Sequence, residues 1–295
     1  MIKVYFSNFW ENAFKQDFLF WFISQAFDSE FCFVDSAGHA DIIFSSVFGK
    51  ERVPAEKTVF FTGENIRPNY ALCSYSLSFD LDDYNGRNFY LPLWYFGIQW
   101  PGFQNCRIPN LKFAHGFEPL IPALPLIKAR ESKEDSFKSK RFCCLIASNP
   151  EGLRTNLYLA LNRYKQVDGY GHMFSNPIYS SKFEIIKNYR FCLCPENSLH
   201  PGYVTEKLFD AWYGGAIPIW NGPTNSVGGI NQDAFLNYSR FERSDRLVER
   251  IIELDQSYEK YQALFAQPLL LNLPEIKPAI QFMQNALHSI LSSRT

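Results

Sequence analysis

Residues 194–222 read CPENSLHPGYVTEKLFDAWYGGAIPIWNG. Val204, Leu208, Ala211 and Trp212 are spaced four, three and one apart, the stripe that buries one side of a helix. Gly214 and Gly215 close that helix, and AIPIW (216–220) follows as a short apolar strand. RFCLC (190–194), just upstream, reads as another strand. Strand, helix, strand is the repeating unit of a parallel α/β sheet. In open sheets of that kind ligands bind beyond the carboxyl ends of the strands. The loop after residue 194 lies at such an end. With the first turn of its helix it holds Glu196, Asn197, His200, Tyr203, Glu206 and Lys207, more chemistry than a plain connection requires.

The stripe turns Glu206, Lys207 and Asp210 away from the core. Gly202 permits a close backbone approach before the first turn. A helix N-terminus offers unpaired N–H groups and a partial positive charge. The Lys207 ammonium opposes that field unless an anion lies nearby, and a diphosphate removes the conflict. The plainer reading has Glu206 complementing the dipole and Lys207 pairing with Asp210 at i,i+3.

Outward from this unit the alternation continues. IKVYF (2–6), FCFVD (31–35), ADIIFSS (40–46) and KTVFFTG (57–63) read as strands, with NAFKQDFLFWFISQAF (12–27) a helix between the first two. FCCLIAS (142–148) is a strand and EGLRTNLYLALNRY (151–164) a helix. SSKFEIIKNY (180–189) is a short helix with a serine cap. Helices near 244–254, 257–265 and 276–292 complete the pattern. KARESKEDSFKSKR (128–141) is charged and poor in apolar residues, and reads as an interdomain linker or a solvated surface loop. The expectation is an α/β protein of two Rossmann-like domains facing a cleft, residues 1–135 and 136–295, with the last helix a candidate to pack back on the first domain.

The bulk properties narrow the class. The formal net charge of -1 argues against a nucleic-acid binder, which is usually basic. The seven cysteines, an odd number set largely in apolar runs, fit a reducing compartment. Cys192 and Cys194 read as buried small side chains, since no second pair follows at zinc spacing. The opening MIKVYFSNFWENAF lacks the pattern of a secretory signal. FLFWFISQAF (18–27) is about half the length a spanning helix needs. A cytoplasmic protein is expected, with peripheral contact at the inner membrane left open. No glycine-rich dinucleotide fingerprint follows an early strand, which disfavours a dehydrogenase.

PENSLHPGYVTEKLFDAWYGGAIPIWNG closely resembles the signature of the α-1,3/1,4-fucosyltransferases, glycosyltransferase family 10: E-N-S, a variable gap, Y-V-T-E-K, a helix, then a P-I/V-x-x-G strand end. LIASNPEGLRTNLYLALNRYKQVDGYG (145–171) resembles the family segment with S-N, an arginine and V-D-x-x-G. FFTGENIRPNYALCSYSLSFDLDDYNGRNFYLPLWY (60–95) resembles its acceptor-domain block. The three blocks stand in the family order and cover most of the chain. Two departures, Pro195 before the E-N pair and the ending W-N-G, leave the sugar selectivity open. Animal members carry a membrane anchor and C-terminal cysteines, whereas the last cysteine here is Cys194, so a bacterial type is expected.

The resemblance implies a GT-B fold, with acceptor bound by the first domain and GDP-fucose by the second. It implies inversion, in which the β-linked donor gives an α-linked product. Carried onto this chain, Arg154 and Lys207 grip the diphosphate, a fork and a point charge, and Glu206 binds the ribose hydroxyls. Asn197 and Tyr203 line the nucleotide-sugar pocket. Glu196 stands beside the sugar as a catalytic carboxylate, with a loop anchor as the open alternative. Glu64 of TGEN, at the carboxyl end of a strand, is the general base. No metal is obligatory, Mn2+ or Mg2+ entering at most as a stimulant. Asp80, Asp82 and Asp83 of DLDD read as a solvated turn rather than a metal pair. The acceptor implied is a Galβ-GlcNAc (LacNAc-type) glycan such as a lipopolysaccharide O-chain. A transferase using another GDP-linked deoxysugar and an inactive glycan-binding homologue are the alternatives.

Overall fold

A computed structural model of the chain describes residues 1–9, 17–27, 30–103, 120–150, 152–178, 180–223 and 228–293. It divides into two compact units, Met1–His115 with Glu275–Thr295, and Gly116–Pro274. That division falls earlier than the 135/136 boundary expected from the sequence.

The first unit contains β1 (Ile2–Ser7), α1 (Asp17–Ala26), β2 (Phe31–Phe33), β3 (Ile42–Ser45), β4 (Thr58–Phe61), β5 (Tyr75–Ser78), β6 (Asn88–Tyr90) and the two-residue β7 (Ile98–Gln99). The strands run parallel in the order β2-β1-β3-β4-β5-β6. Every residue of β3 is buried, as a strand covered on both faces requires. Residues 12–16 of the helix expected over 12–27 lie outside the described residues, as does Cys106.

β5 and β6 had no hydropathy signal because polar side chains knit them together. Ser76 and Ser78 hydroxyls, both buried, donate to Asn88 Oδ1 at 2.7 and 2.8 Å. The Asn88 amide in turn donates to the carbonyls of Asp80 and Asp82. Satisfied in this way, buried polar groups cost little.

The second unit runs through β8 (Ile121–Pro122), α2 (Ala123–Leu126), α3 (Glu134–Ser139), β9 (Arg141–Ile146), α4 (Gly152–Tyr164), β10 (Val167–Tyr170), α5 (Lys182–Ile186), β11 (Tyr189–Leu193), α6 (Glu206–Tyr213), β12 (Ile217–Trp220), β13 (Leu236–Asn237), α7 (Ser244–Gln256) and α8 (Tyr258–Phe265). Its five parallel strands stand in the order β10-β9-β11-β12-β13. Leu247 and Ile251 of α7 and Tyr261 of α8 join Leu145, Phe191 and Ile219 of the sheet in one buried core. Each fully buried side chain of this kind contributes roughly 1.5–3 kcal/mol.

The charged stretch 128–141 is neither a linker nor a solvated loop. Phe137 of α3 lies in the core of the second unit. The Arg130 guanidinium sits 4.0 Å from the ring centres of both Trp212 and Phe265. It donates to the carbonyls of Trp212, Ala216 and Phe265. Those of Trp212 and Phe265 lie in the last turns of α6 and α8, where a cation is favoured. Charge alone made the stretch look solvent-borne, but its two key residues are inserted.

The chain returns to the first unit with α9 (Lys277–Ser292), which packs on α1, β3 and β6. No helix among the described residues is long and apolar enough to cross a membrane.

Candidate functional site

The loop from β11 to α6 is pinned by backbone contacts to β12 and the residue after it. Cys194 N–H donates to the Ile219 carbonyl at 2.9 Å, and Glu196 N–H to Asn221 Oδ1 at 2.6 Å. Gly202, at φ +85°, takes the left-handed conformation that turns the chain into the helix. Thr205 caps α6, its hydroxyl accepting from Lys207 N–H. Glu206 complements the dipole in the first turn. Leu208, Phe209, Ala211 and Trp212 are buried.

The Glu196 carboxylate is wholly enclosed. Oε1 accepts from Thr205 N–H at 2.8 Å and from Trp220 Nε1 at 3.2 Å. Oε2 accepts from the Thr205 hydroxyl at 2.7 Å and from Lys207 Nζ at 3.4 Å. Four donors occupy this carboxylate, the arrangement of a loop anchor.

Lys207 Nζ also donates to Thr205 Oγ1 at 3.1 Å and lies 3.9 Å from Glu206 Oε1. Burial by itself would lower the ammonium pKa, but Glu206 and Glu196 outweigh it and hold it above the ordinary lysine value. Arg154, in the first turn of α4, is only 5% exposed. Its guanidinium donates to the Asn149 carbonyl and to Asn197 Oδ1, the latter at 3.0 Å. Both partners are neutral, and among the described residues no carboxylate pairs with it. A buried cation held by neutral acceptors can receive an anion without first giving up a partner.

Tyr203 is buried beside these groups in the chain, with its N–H bonded to the His200 carbonyl. The second unit thus holds Arg154, Glu196, Asn197, Tyr203, Glu206 and Lys207, on the carboxyl-end loops of β9 and β11 and the helices that follow. Glu64 belongs to the first unit, three residues past β4, where it is exposed and its N–H bonds to Thr62 Oγ1.

Two polar residues differ from their expected settings. Asp210 does not face solvent or pair with Lys207. It is buried and ion-paired to Lys182 of α5 at 2.9 Å. Asp80 is not in a solvated turn. It is buried and bonded to Arg67 at 2.5 Å and to the Tyr84 hydroxyl at 2.6 Å. Burial pushes its carboxyl up, yet those bonds prevail and leave it below the ordinary range. Among the described residues no three His, Cys, Asp or Glu side chains group as a metal site.

Thr205, Trp220 and Asn221 are the supporting residues that the sequence reading passed over. A threonine directly before two charged residues and an apolar stripe is a helix N-cap signal and was legible. The Trp220 contact, between neighbouring strands, was not.

Comparison with known proteins matches residues 136–267 to the model "Glycosyltransferase family 10 (fucosyltransferase) C-term" and residues 4–97 to "Alpha-(1,3)-fucosyltransferase FucT N-terminal domain". The alpha-(1,3)-fucosyltransferase FucT of Helicobacter pylori is 30% identical over 292 residues, covering 91% of this chain and 60% of that protein. A 4-galactosyl-N-acetylglucosaminide 3-alpha-L-fucosyltransferase of Gorilla gorilla gorilla is 33% identical over 122 residues, 39% of this chain and 33% of its own. The chain therefore spans less than two thirds of either relative. A crystal structure of an alpha1,3-fucosyltransferase with GDP-fucose superposes with a TM-score of 0.72 at 23% identity, over 97% of this chain and 90% of that one. The shared fold is GT-B, in agreement with the α/β class expected from the sequence.

Proposed function

We propose a reaction for this chain from one premise: it belongs to glycosyltransferase family 10, the fucosyltransferases. The reaction is inverting transfer of L-fucose from GDP-β-L-fucose to a hydroxyl of GlcNAc or Glc in a Galβ-GlcNAc-type glycan. The product linkage is α-1,3 or α-1,4. The acceptor oxygen attacks the anomeric carbon, the bond from that carbon to the GDP oxygen breaks, and GDP leaves with the electron pair. Glu64 takes the proton of the acceptor hydroxyl. Such a base typically contributes roughly 10²- to 10⁴-fold.

The observation that carries the reading is the buried Arg154 guanidinium with only neutral partners. An arginine fork matches the geometry of phosphate oxygens, and Lys207 adds a point charge at the α6 N-terminus. Preorganised donors of this kind stabilise charge that builds up on a leaving group. Glu206 accepts from the ribose diol, and Asn197 and Tyr203 line the donor pocket. Mn2+ or Mg2+ enters only as a stimulant, with no step routed through it. A lipopolysaccharide O-chain at the cytoplasmic face of the inner membrane is the acceptor setting that fits the family's bacterial type.

The test is GDP release from GDP-fucose with lactose, N-acetyllactosamine and type-1 chain acceptors, beside a panel of other GDP-linked deoxysugars. Product with GDP-fucose and a Galβ-GlcNAc acceptor supports the reading. Turnover only with another GDP-deoxysugar, or none with any donor, overturns it.

A further inference from the structure

We infer that Trp220 and Thr205 are positioning residues for the leaving-group cation, holding the Lys207 ammonium in place through the Glu196 carboxylate. The inference rests on the reading of Arg154 and Lys207 as the diphosphate site.

An ionised carboxylate removed from water needs a donor on each lone-pair direction. Glu196 receives four, and they come from two different elements. Three belong to the cap and first turn of α6. The fourth is the indole N–H of Trp220 on β12, the strand beside β11. Glu196 therefore joins the entrance of the helix to the sheet. Lys207 folds back over this joint and donates to both Glu196 and Thr205. A lysine side chain left free must be ordered when an anion arrives. One already fixed contributes its charge without that loss.

The indole is itself held. Its ring packs edge-on against Phe235 at 5.3 Å. Gly222 lies so close to it that a Cβ there would stand 1.8 Å from the ring. The Thr205 hydroxyl is fully used, donating to Glu196 and accepting from Lys207 N–H and Nζ. Glu196 is enclosed and cannot touch a sugar, so its influence on the reaction passes through Lys207.

Two substitutions each remove one hydrogen-bonding group from this assembly. Trp220→Phe keeps a ring and deletes the donor, and Thr205→Val keeps the shape and deletes the hydroxyl. GDP affinity is read by calorimetry and guanosine affinity by saturation-transfer NMR, with thermal denaturation alongside. Each variant is expected to bind GDP about tenfold more weakly, the scale of a lost bond to a charged group, and guanosine as well as the parent does. Thr205→Ser, which keeps the hydroxyl, restores the GDP affinity. Lys207→Ala shows the same selectivity, and in that background Trp220→Phe has no further effect on GDP. Suppose Lys207→Ala loses GDP selectively while Trp220→Phe and Thr205→Val keep the parent affinity, or weaken GDP and guanosine alike. The positioning role then fails and the diphosphate site stands. Full GDP affinity in Lys207→Ala overturns the diphosphate reading and the inference together.

Discussion

Arg154 and Asn197 are joined by a 3.0 Å hydrogen bond from the guanidinium to the side-chain carbonyl oxygen. That bond ties the first turn of α4 to the loop after β11, and it leaves the cation's charge intact. Asn197→Asp keeps the shape and puts a carboxylate in contact with Arg154. The variant is expected to match or exceed the parent in stability, because the buried charge gains a counter-ion. Its GDP affinity is expected to fall about tenfold or more, because the diphosphate must displace that counter-ion. Calorimetry with GDP and a denaturant titration give the two signs, and tighter GDP binding would contradict the role given to Arg154.

Glu64→Gln removes the proposed base while preserving size. The expected loss in turnover is roughly 10²- to 10⁴-fold, with GDP-fucose affinity unchanged, since the groups proposed to bind the donor all lie in the second unit. A pre-steady-state assay of fucose transfer beside equilibrium binding checks both parts. Near-parent turnover excludes Glu64 as the base.

The loop after β11 and α6 were legible because their signals are local. The apolar stripe, the threonine cap and the glycine pair all act within one turn of the residues they govern. What escaped the reading depends on partners distant in sequence. Asp210 looked solvent-facing by helical phase, yet Lys182 sits on the helix before it and draws it inward. Glu196 read equally as a carboxylate beside the sugar or as a loop anchor, and the Trp220 indole that bonds it comes from the end of the next strand. Arg130 looked like linker charge, although its flat cation fits between Trp212 and Phe265. A sequence shows that a charge is present; burial and the identity of its partner are set by tertiary contacts.

The Lys182–Asp210 pair gives a stability prediction. The two side chains are 20% and 10% exposed, so removing one partner leaves the other charge poorly solvated. Asp210→Ala is expected to cost about 2 kcal/mol, below the roughly 3–5 kcal/mol of a fully buried pair because Lys182 keeps some solvent. The double variant Lys182→Met, Asp210→Leu is expected to recover most of that loss. Denaturant midpoints for the single and double variants decide it, and a double variant no better than Asp210→Ala would rule out the charge argument.

Lys140 predicts a pH dependence. Its ammonium donates to the Gly215 carbonyl at 2.6 Å, and burial together with the nearby Arg130 lowers its pKa to about 8. In the unfolded chain the group returns to its ordinary value near 10.5. Between those two pH values the unfolded state binds more protons than the folded state, so stability attributable to this residue rises with pH. Below about pH 8 both states are protonated and the cost of the buried charge is present in full. Lys140→Met abolishes the titration. The parent should therefore gain stability relative to this variant as the pH is raised from 7 through about 8 and toward 10, in parallel denaturant titrations. A stability difference that stays flat, or that moves in favour of Lys140→Met, would show that the ammonium is not held in the depressed state its surroundings imply.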